Sequence, residues 1–381
     1  MEPGHPPFDL SVAPLTRRQI LARGAQLAGL ASVGLAAACG GGSSSSGSAG
    51  SAASGGSTQL SGEIVFMNYP GWIGSHEVKD FQAATPGVTV KQVSGLTEGV
   101  SAAAAQISQN QGSYDMSLGG PVLGEQLRVG DLLQPVDFAN IPNIKYVAQH
   151  FRDAYPWGPP TDFGKTGIGY RKDLVSEPIT SWADVWRLAP KYSGKIVMVN
   201  FDVDALGAAL KYKGYSVNAT DANQLNAAKD ALIQLKPHLL AFLSTNVTKP
   251  MLQGEAVITI DYDYDIAAAT RKNPDITWVA PKEGMPAYLD GWLAIKGTQH
   301  LPEVEAFMNF HLDPKNYAGF VNTIGSAYVE RAAEPFIDKS IVSNPSLRYD
   351  PATLETIEFE KFLGADATKL RTQIWEEVKA A

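Results

Sequence analysis

Apolar positions along the chain fall into short runs separated by stretches of helical spacing, and this alternation predicts the elements in order. Glu63–Met67 reads as a strand, Asn68-Tyr69-Pro70-Gly71-Trp72 as a loop, His76–Ala84 as a helix and Val88–Val93 as a second strand. Val100–Gln109 reads as a helix and Tyr114–Leu118 as a short strand closed by Gly119-Gly120-Pro121. A β-α-β-α-β order implies a parallel sheet with helices on both faces. Pro156–Gly164 is a proline- and glycine-rich break that leads into Thr166–Tyr170, a candidate crossing between lobes.

The pattern then resumes. Thr180–Trp186 opens a helix, with Ser181 as cap and Asp184 three residues on. Ile196–Val199 reads as a strand, Ala205–Lys213 and Ala222–Leu235 as helices. Val257–Ile260 is an apolar, β-branched run that reads as a buried strand. It ends on Asp261-Tyr262-Asp263-Tyr264-Asp265, and Ile266–Arg271 reads as the helix after it. Tyr288, Leu289 and Asp290 stand just before a further apolar run, Trp292–Ile295. Glu303–His311, Pro314–Thr323 and the end of the chain from Leu354 read as helices, and no internal repeat is evident.

Ligands of open α/β sheets bind outside the carboxyl ends of strands. Aromatic faces beside carboxylates at such an end suit an organic cation: the ring face attracts the charge and the carboxylate accepts its N–H bonds. Composition narrows the field further. The chain has 381 residues, is 44% hydrophobic and 18% charged, and carries a net charge of −8. These values describe an ordinary globular protein of two domains or one large one, and the acidity argues against a nucleic-acid partner. Its one cysteine, Cys39, excludes a disulfide within the chain, and His5, His76, His150, His238, His300 and His311 show no metal-ligand spacing. No cofactor is expected.

The first 39 residues read as targeting rather than fold. Arg17-Arg18, the uncharged run Ala25–Ala38 and Leu35-Ala36-Ala37-Ala38-Cys39 resemble a twin-arginine export signal with a lipoprotein cleavage box, Ala36 standing where that box usually has leucine. Gly40–Ser57 is almost all Gly, Ser and Ala, a flexible leash of about eighteen residues reaching roughly 20–25 Å. Residues 40–59 are taken as linker, and the body starts near Leu60.

The order of landmarks resembles the polyamine-binding branch of bacterial extracellular solute-binding proteins, the spermidine/putrescine receptors of ABC importers. The residues that carry it are Asn68-Tyr69, Gly164–Tyr170, Thr180–Trp186, Gly214-Tyr215, Pro281-Lys282-Glu283-Gly284, Asp290 with Leu293-Ala294-Ile295, and Thr323-Ile324-Gly325. The resemblance implies an α/β, two-lobed periplasmic-binding-protein-like fold with ligand between the lobes, residues 60–163 plus 290–325 forming one lobe and 164–289 plus 326–381 the other. By position it implies Tyr69 and Trp72 as aromatic walls, Asp202 and Asp204 as acids, Tyr262 and Tyr288 as further walls, Asp290 as an amine-binding carboxylate and Glu360 near the far amine. Asp263 is a candidate from its place in the acidic and aromatic run. Gly120, Val122 and Ser326 depart from the family's lining.

Plainer roles compete at several positions. Asp290 could cap a turn, and Asp202, Asp204, Asp263 and Asp265 could cap the helices they precede. One of Tyr262 and Tyr264 is expected in the core, as are Trp182 and Trp186, while Lys282 and Glu283 read as solvated loop. The function that fits best is a lipid-anchored, monomeric receptor on the outer face of the cytoplasmic membrane, delivering a polyamine or other small organic cation to an ABC permease. A receptor for a ferric ion, a sugar or a quaternary amine, and an anchored glycosidase, are the alternatives. Against an enzyme, no nucleophile elbow, phosphate loop or zinc helix is found.

Overall fold

A computed structural model describes residues 59–96 and 100–381; the twin arginine, Cys39 and most of the linker lie outside the described residues. Its strands are β1 (Gly62–Asn68), β2 (Val88–Ser94), β3 (Met116–Gly119), β4 (Leu133–Gln134), β5 (Pro160–Arg171), β6 (Ile196–Val199), β7 (Leu239–Leu243), β8 (Ile258–Tyr262), β9 (Ile276–Val279), β10 (Met285–Ile295), β11 (Ala327–Tyr328) and β12 (Ile357–Phe359). The main path of the sheet runs β2-β1-β3-β10-β5-β8-β6-β7. β1 pairs parallel with β2 and β3, and β6 pairs parallel with β7 and β8. Between these two parallel sets lie β5 and β10, antiparallel to each other and to their outer neighbours.

β5 and β10 join two lobes with separate cores. The first core gathers Phe66, Phe81, Leu118, Trp292 and Phe307, and the second Trp182, Met198, Leu206, Leu232 and Ile260. β5 contributes Phe163 to the first and Ile168 to the second, so the strand leaves one lobe and enters the other within five residues. Gly164–Thr166 lies in this strand, which pairs with β10, Ala287 opposite Lys165 and Asp290 opposite Asp162.

The return of the chain differs from the expected boundaries. Ala327, Tyr328, Ala333, Ile341 and Leu347 pack into the first core; among the core residues after position 347, Ile374, Trp375 and Val378 belong to the second. The predicted terminal helix from Leu354 is also divided. A short helix ends at Leu354, β12 pairs parallel with Met285–Ala287, and the last helix is Ala365–Ala380. Gly364 marks its start with a φ of 82°, a left-handed conformation that glycine adopts without strain.

Several local expectations hold. Ser181 accepts from the Asp184 backbone N–H, and Trp182 is fully buried with Nε1 donating to the Gly284 carbonyl at 2.8 Å. Glu283 is not simply solvated: its carboxylate accepts from the backbone N–H groups of Trp182 and Ala183 at 3.1 and 3.3 Å. An acid there suits a helix N-terminus, where free N–H groups and the dipole favour negative charge.

Candidate functional site

The site grows from loops and strand ends at the crossing. Asn68, buried at the end of β1, folds the next loop back on itself: its Nδ2 donates to the Trp72 carbonyl and its Oδ1 accepts from the Tyr69 N–H, each at 2.8 Å. Glu77 fixes the far side of that loop, accepting from Gly74 N–H at 3.0 Å with one oxygen and meeting His311 Nδ1 at 2.6 Å with the other. Trp72 is thereby held over β5, its Nε1 donating to Asp162 Oδ1 at 3.4 Å.

From Trp72 a continuous aromatic wall runs to the other side. The Trp72 and Tyr264 rings meet edge-on at 5.8 Å, Tyr264 stacks on Tyr262 at 5.4 Å, and Tyr262 meets Tyr288 edge-on at 5.9 Å. All four rings are only half-buried, so each keeps a face or edge accessible. The expectation that one of Tyr262 and Tyr264 serves the core gives way to a shared role: both are half-buried, Tyr264 packed against the first core and Tyr262 against a smaller cluster around Val199 and Ile266. β8 ends at Tyr262 and a helix begins at Asp263, so strand alternation no longer separates the two rings. Tyr288 lies across Gly164 on β5, where a Cβ would stand 2.3 Å from its ring.

Carboxylates sit along this wall. Asp204, in the first turn of the helix Asp202–Tyr212, accepts from the Tyr262 hydroxyl at 2.6 Å and from Thr166 Oγ1. Burial pushes it up to about 6, against the two hydroxyls that favour its charge. Burial and then the neighbouring charge of Asp162 hold Asp290 well above the usual carboxylate range. Glu360 is raised by burial and by Asp204, and the Arg371 charge eases it. Tyr69 is raised by burial and then by the fields of Asp290 and Glu360. Asp202 acts on both Glu360 and Arg371. Among the described residues none of Asp162, Asp204, Asp290 or Glu360 has a lysine or arginine within salt-bridge distance.

Asp263 is the candidate that the geometry separates from this group. Its Oδ2 lies 2.7 Å from Lys165 Nζ, and both side chains are buried. The carboxylate is already compensated, so it is a structural ion pair under the crossing rather than a free acceptor.

Asp162 and Thr166 carry no signal of a site role in the sequence, which offers Asp265 as a helix cap and Tyr264 as one of two rings competing for the core. Asp265 is half-buried and raised to about 6 by burial and the charge of Asp263. Asp162 stood in the proline-rich break, where no strand pattern pointed to a facing partner. Its signal is the register itself, which sets it directly opposite Asp290. Of the departures from the family lining, Gly120 lies beside Asp290: a Cβ there would meet Asp290 Oδ1 at 3.4 Å, an ordinary contact.

Comparison with known proteins bears on the family and the fold. The family described as bacterial extracellular solute-binding protein matches residues 77–345. The spermidine/putrescine-binding periplasmic protein of Escherichia coli is 26% identical over 276 residues, covering 71% of this chain and 78% of its own length. The putrescine/cadaverine-binding protein of Pseudomonas aeruginosa is 25% identical over 334 residues, covering 83% of this chain and 93% of its own. Among solved structures, a putative spermidine/putrescine ABC transporter protein of Listeria monocytogenes superposes with a TM-score of 0.74 at 22% identity, covering 83% of this chain and 98% of that one. A lipoprotein of Treponema pallidum does so with a TM-score of 0.74 at 23% identity, covering 83% and 99%. At these identities the structural likeness establishes the fold.

Proposed function

The chain belongs to the family of bacterial extracellular solute-binding proteins, and we propose that it is the receptor of an ABC importer for a linear polyamine such as putrescine or spermidine, which it binds without chemical change. The observation that carries this reading is the row of acids along an aromatic wall: among the described residues Asp290, Asp204 and Glu360 have no lysine or arginine at salt-bridge distance, beside half-buried Tyr69, Trp72, Tyr262 and Tyr288. Unpaired buried carboxylates are costly unless a cation arrives. A polyamine brings ammoniums for the acids and methylenes for the flat rings, each cation–π contact adding about 0.5–2 kcal/mol. The names of the related proteins, which bind spermidine, putrescine or cadaverine, support the same ligand class. The two-lobed architecture suits hinge closure over the ligand.

Titration calorimetry tests the reading. The protein is expected to bind putrescine or spermidine, and Asp290→Asn to lose about 2–5 kcal/mol, or roughly thirty- to several-thousand-fold in affinity. A wild type that binds neither amine, or an Asp290→Asn variant that binds as tightly, sinks it. We also propose tethering through lipid on Cys39 at the outer face of the cytoplasmic membrane, with an ABC permease as partner. Cys39→Ser should leave the precursor unprocessed and unlipidated; wild-type mature mass and membrane partition in that variant would refute the anchor.

A further inference from the structure

Asp162 and Asp290 stand directly opposite each other on the antiparallel pair β5–β10. Residues so placed project to the same face with Cβ atoms about 4.5–5.5 Å apart, and like charges there repel. Asp162 is fully buried. Its Oδ1 is held by Thr161 Oγ1 at 3.0 Å and Trp72 Nε1 at 3.4 Å, whereas its Oδ2 is buried with no hydrogen-bond partner. One acid is therefore pinned behind, with the Ser326 hydroxyl also favouring its charge, whereas Asp290 is only half-buried.

From this placement we infer that Asp162 is a positioning residue that shares one proton with Asp290 in the ligand-free site, and that an amine enters as its ammonium by displacing that proton to solvent. The balance is simple: a carboxylic acid beside a carboxylate, plus R–NH3+, gives two carboxylates around the ammonium and one H+ released. The second half of the inference rests on the amine-receptor reading; the shared proton does not. Burial pushes Asp162 up to about 7, and Asp290 also rises, first from burial and then from its neighbour's charge. The groups facing the pair are His311, whose charge favours ionised Asp162, and the phenols Tyr69, Tyr155, Tyr288 and Tyr317. Glu360 adds to the negative field around Asp290. His311 is the basic group among them, and it is engaged by Glu77; among the described residues no lysine or arginine lies at salt-bridge distance from either acid.

The test is proton counting. Putrescine binding is measured by calorimetry near pH 6.5 in two buffers of different ionisation enthalpy, for wild type and Asp162→Asn. Asparagine keeps the shape and an acceptor for Trp72 Nε1. Wild type is expected to release close to one proton more per amine than the variant, and its affinity to rise more steeply with pH. Equal proton release and equal pH slope in the two proteins overturn the inference, as does a wild type that releases none. Should Asp162→Asn fail to fold, Trp72→Phe removes one donor to Asp162 and should move the midpoint of the pH profile upward; an unmoved midpoint is a refutation. Should the protein bind no polyamine, the receptor reading falls and the pair is judged without ligand. Asp162→Asn, or Trp72→Phe in its place, should then change the pH dependence of the melting temperature between about pH 5 and 8. A profile parallel to wild type overturns the shared proton.

Discussion

β5 carries two buried ionisable groups three residues apart, and the fold treats them in opposite ways. At one, Lys165 Nζ lies 2.7 Å from Asp263 Oδ2, and its ammonium also sits 4.7 Å from the centre of the Phe163 ring. At the other, Asp162 faces a second acid, Asp290, and among the described residues no lysine or arginine completes the pair. Burial raises all three carboxylates, so a perturbed acid does not by itself mark a functional site. The partner distinguishes them. Asp263 is completed by its own chain and holds the crossing together, while Asp162 and Asp290 have, among the described residues, no lysine or arginine at salt-bridge distance, the gap that the proposed amine would fill.

The comparison breaks most readily at Lys165. Lys165→Met removes the cation and leaves Asp263 buried without a partner, which typically costs about 3–5 kcal/mol. The expected outcome is a large fall in the denaturant midpoint at neutral pH. Adding Asp263→Asn should recover most of it, because a neutral pair needs no internal counter-charge. Neutralising Asp290, by contrast, should leave stability unharmed while binding is lost. A Lys165→Met variant as stable as wild type would show that this pair is not structural.

The lobes were largely legible because their elements carry strong local signals. Val100–Gln109, Ile196–Val199 and Ala222–Leu235 match the expected spans, and the Ser181 cap is where its motif placed it. The crossing strand was read only in fragments. Gly164, Gly167 and Gly169 weaken a strand pattern, and their purpose appears only once Tyr288, Trp278 and Thr259 are seen packed against them. The same limit applies to the site. Side chains at strand ends, such as Tyr262 and Tyr288, follow from motif and topology. Asp162 depends on cross-strand register, and the role of Asp263 on Lys165, which lies 98 positions away; neither is written in local sequence.

Two of those glycines sharpen the comparison by separating site from scaffold on one strand. A Cβ at Gly164 would stand 2.3 Å from the Tyr288 ring, and one at Gly167 would stand 2.3 Å from the Trp278 ring. Overpacking of this kind costs about 1–3 kcal/mol. In Gly164→Ala the displaced ring is a wall of the proposed site, so the cost should appear as roughly ten- to hundredfold weaker polyamine binding. In Gly167→Ala it should appear in melting temperature, with affinity little changed. Affinity losses of equal size in both would mean that the strand transmits strain as a unit and that the division drawn here is too sharp.

The smallest expected effect is on the ligand-free protein and concerns Asp204, whose charge is supported by two hydroxyls but by no cation. Burial holds it at about 6, against an ordinary value of about 3.9 in the unfolded chain. Between those values the folded chain keeps a proton that the unfolded chain has released. Its stability therefore falls as pH rises through that window, and the deficit is complete above it. Two units correspond to at most about 3 kcal/mol, and an asparagine that reproduces the hydroxyl contacts only in part should recover about 1–2 kcal/mol. Asp204→Asn is thus expected to be more stable than wild type near pH 7.5, no more stable near pH 4, and weaker in amine binding. Denaturant unfolding at the two pH values checks this. A variant less stable at both would mean that the Asp204 charge is compensated within the chain, like Asp263, and the contrast between the two kinds of acid would lose one of its members.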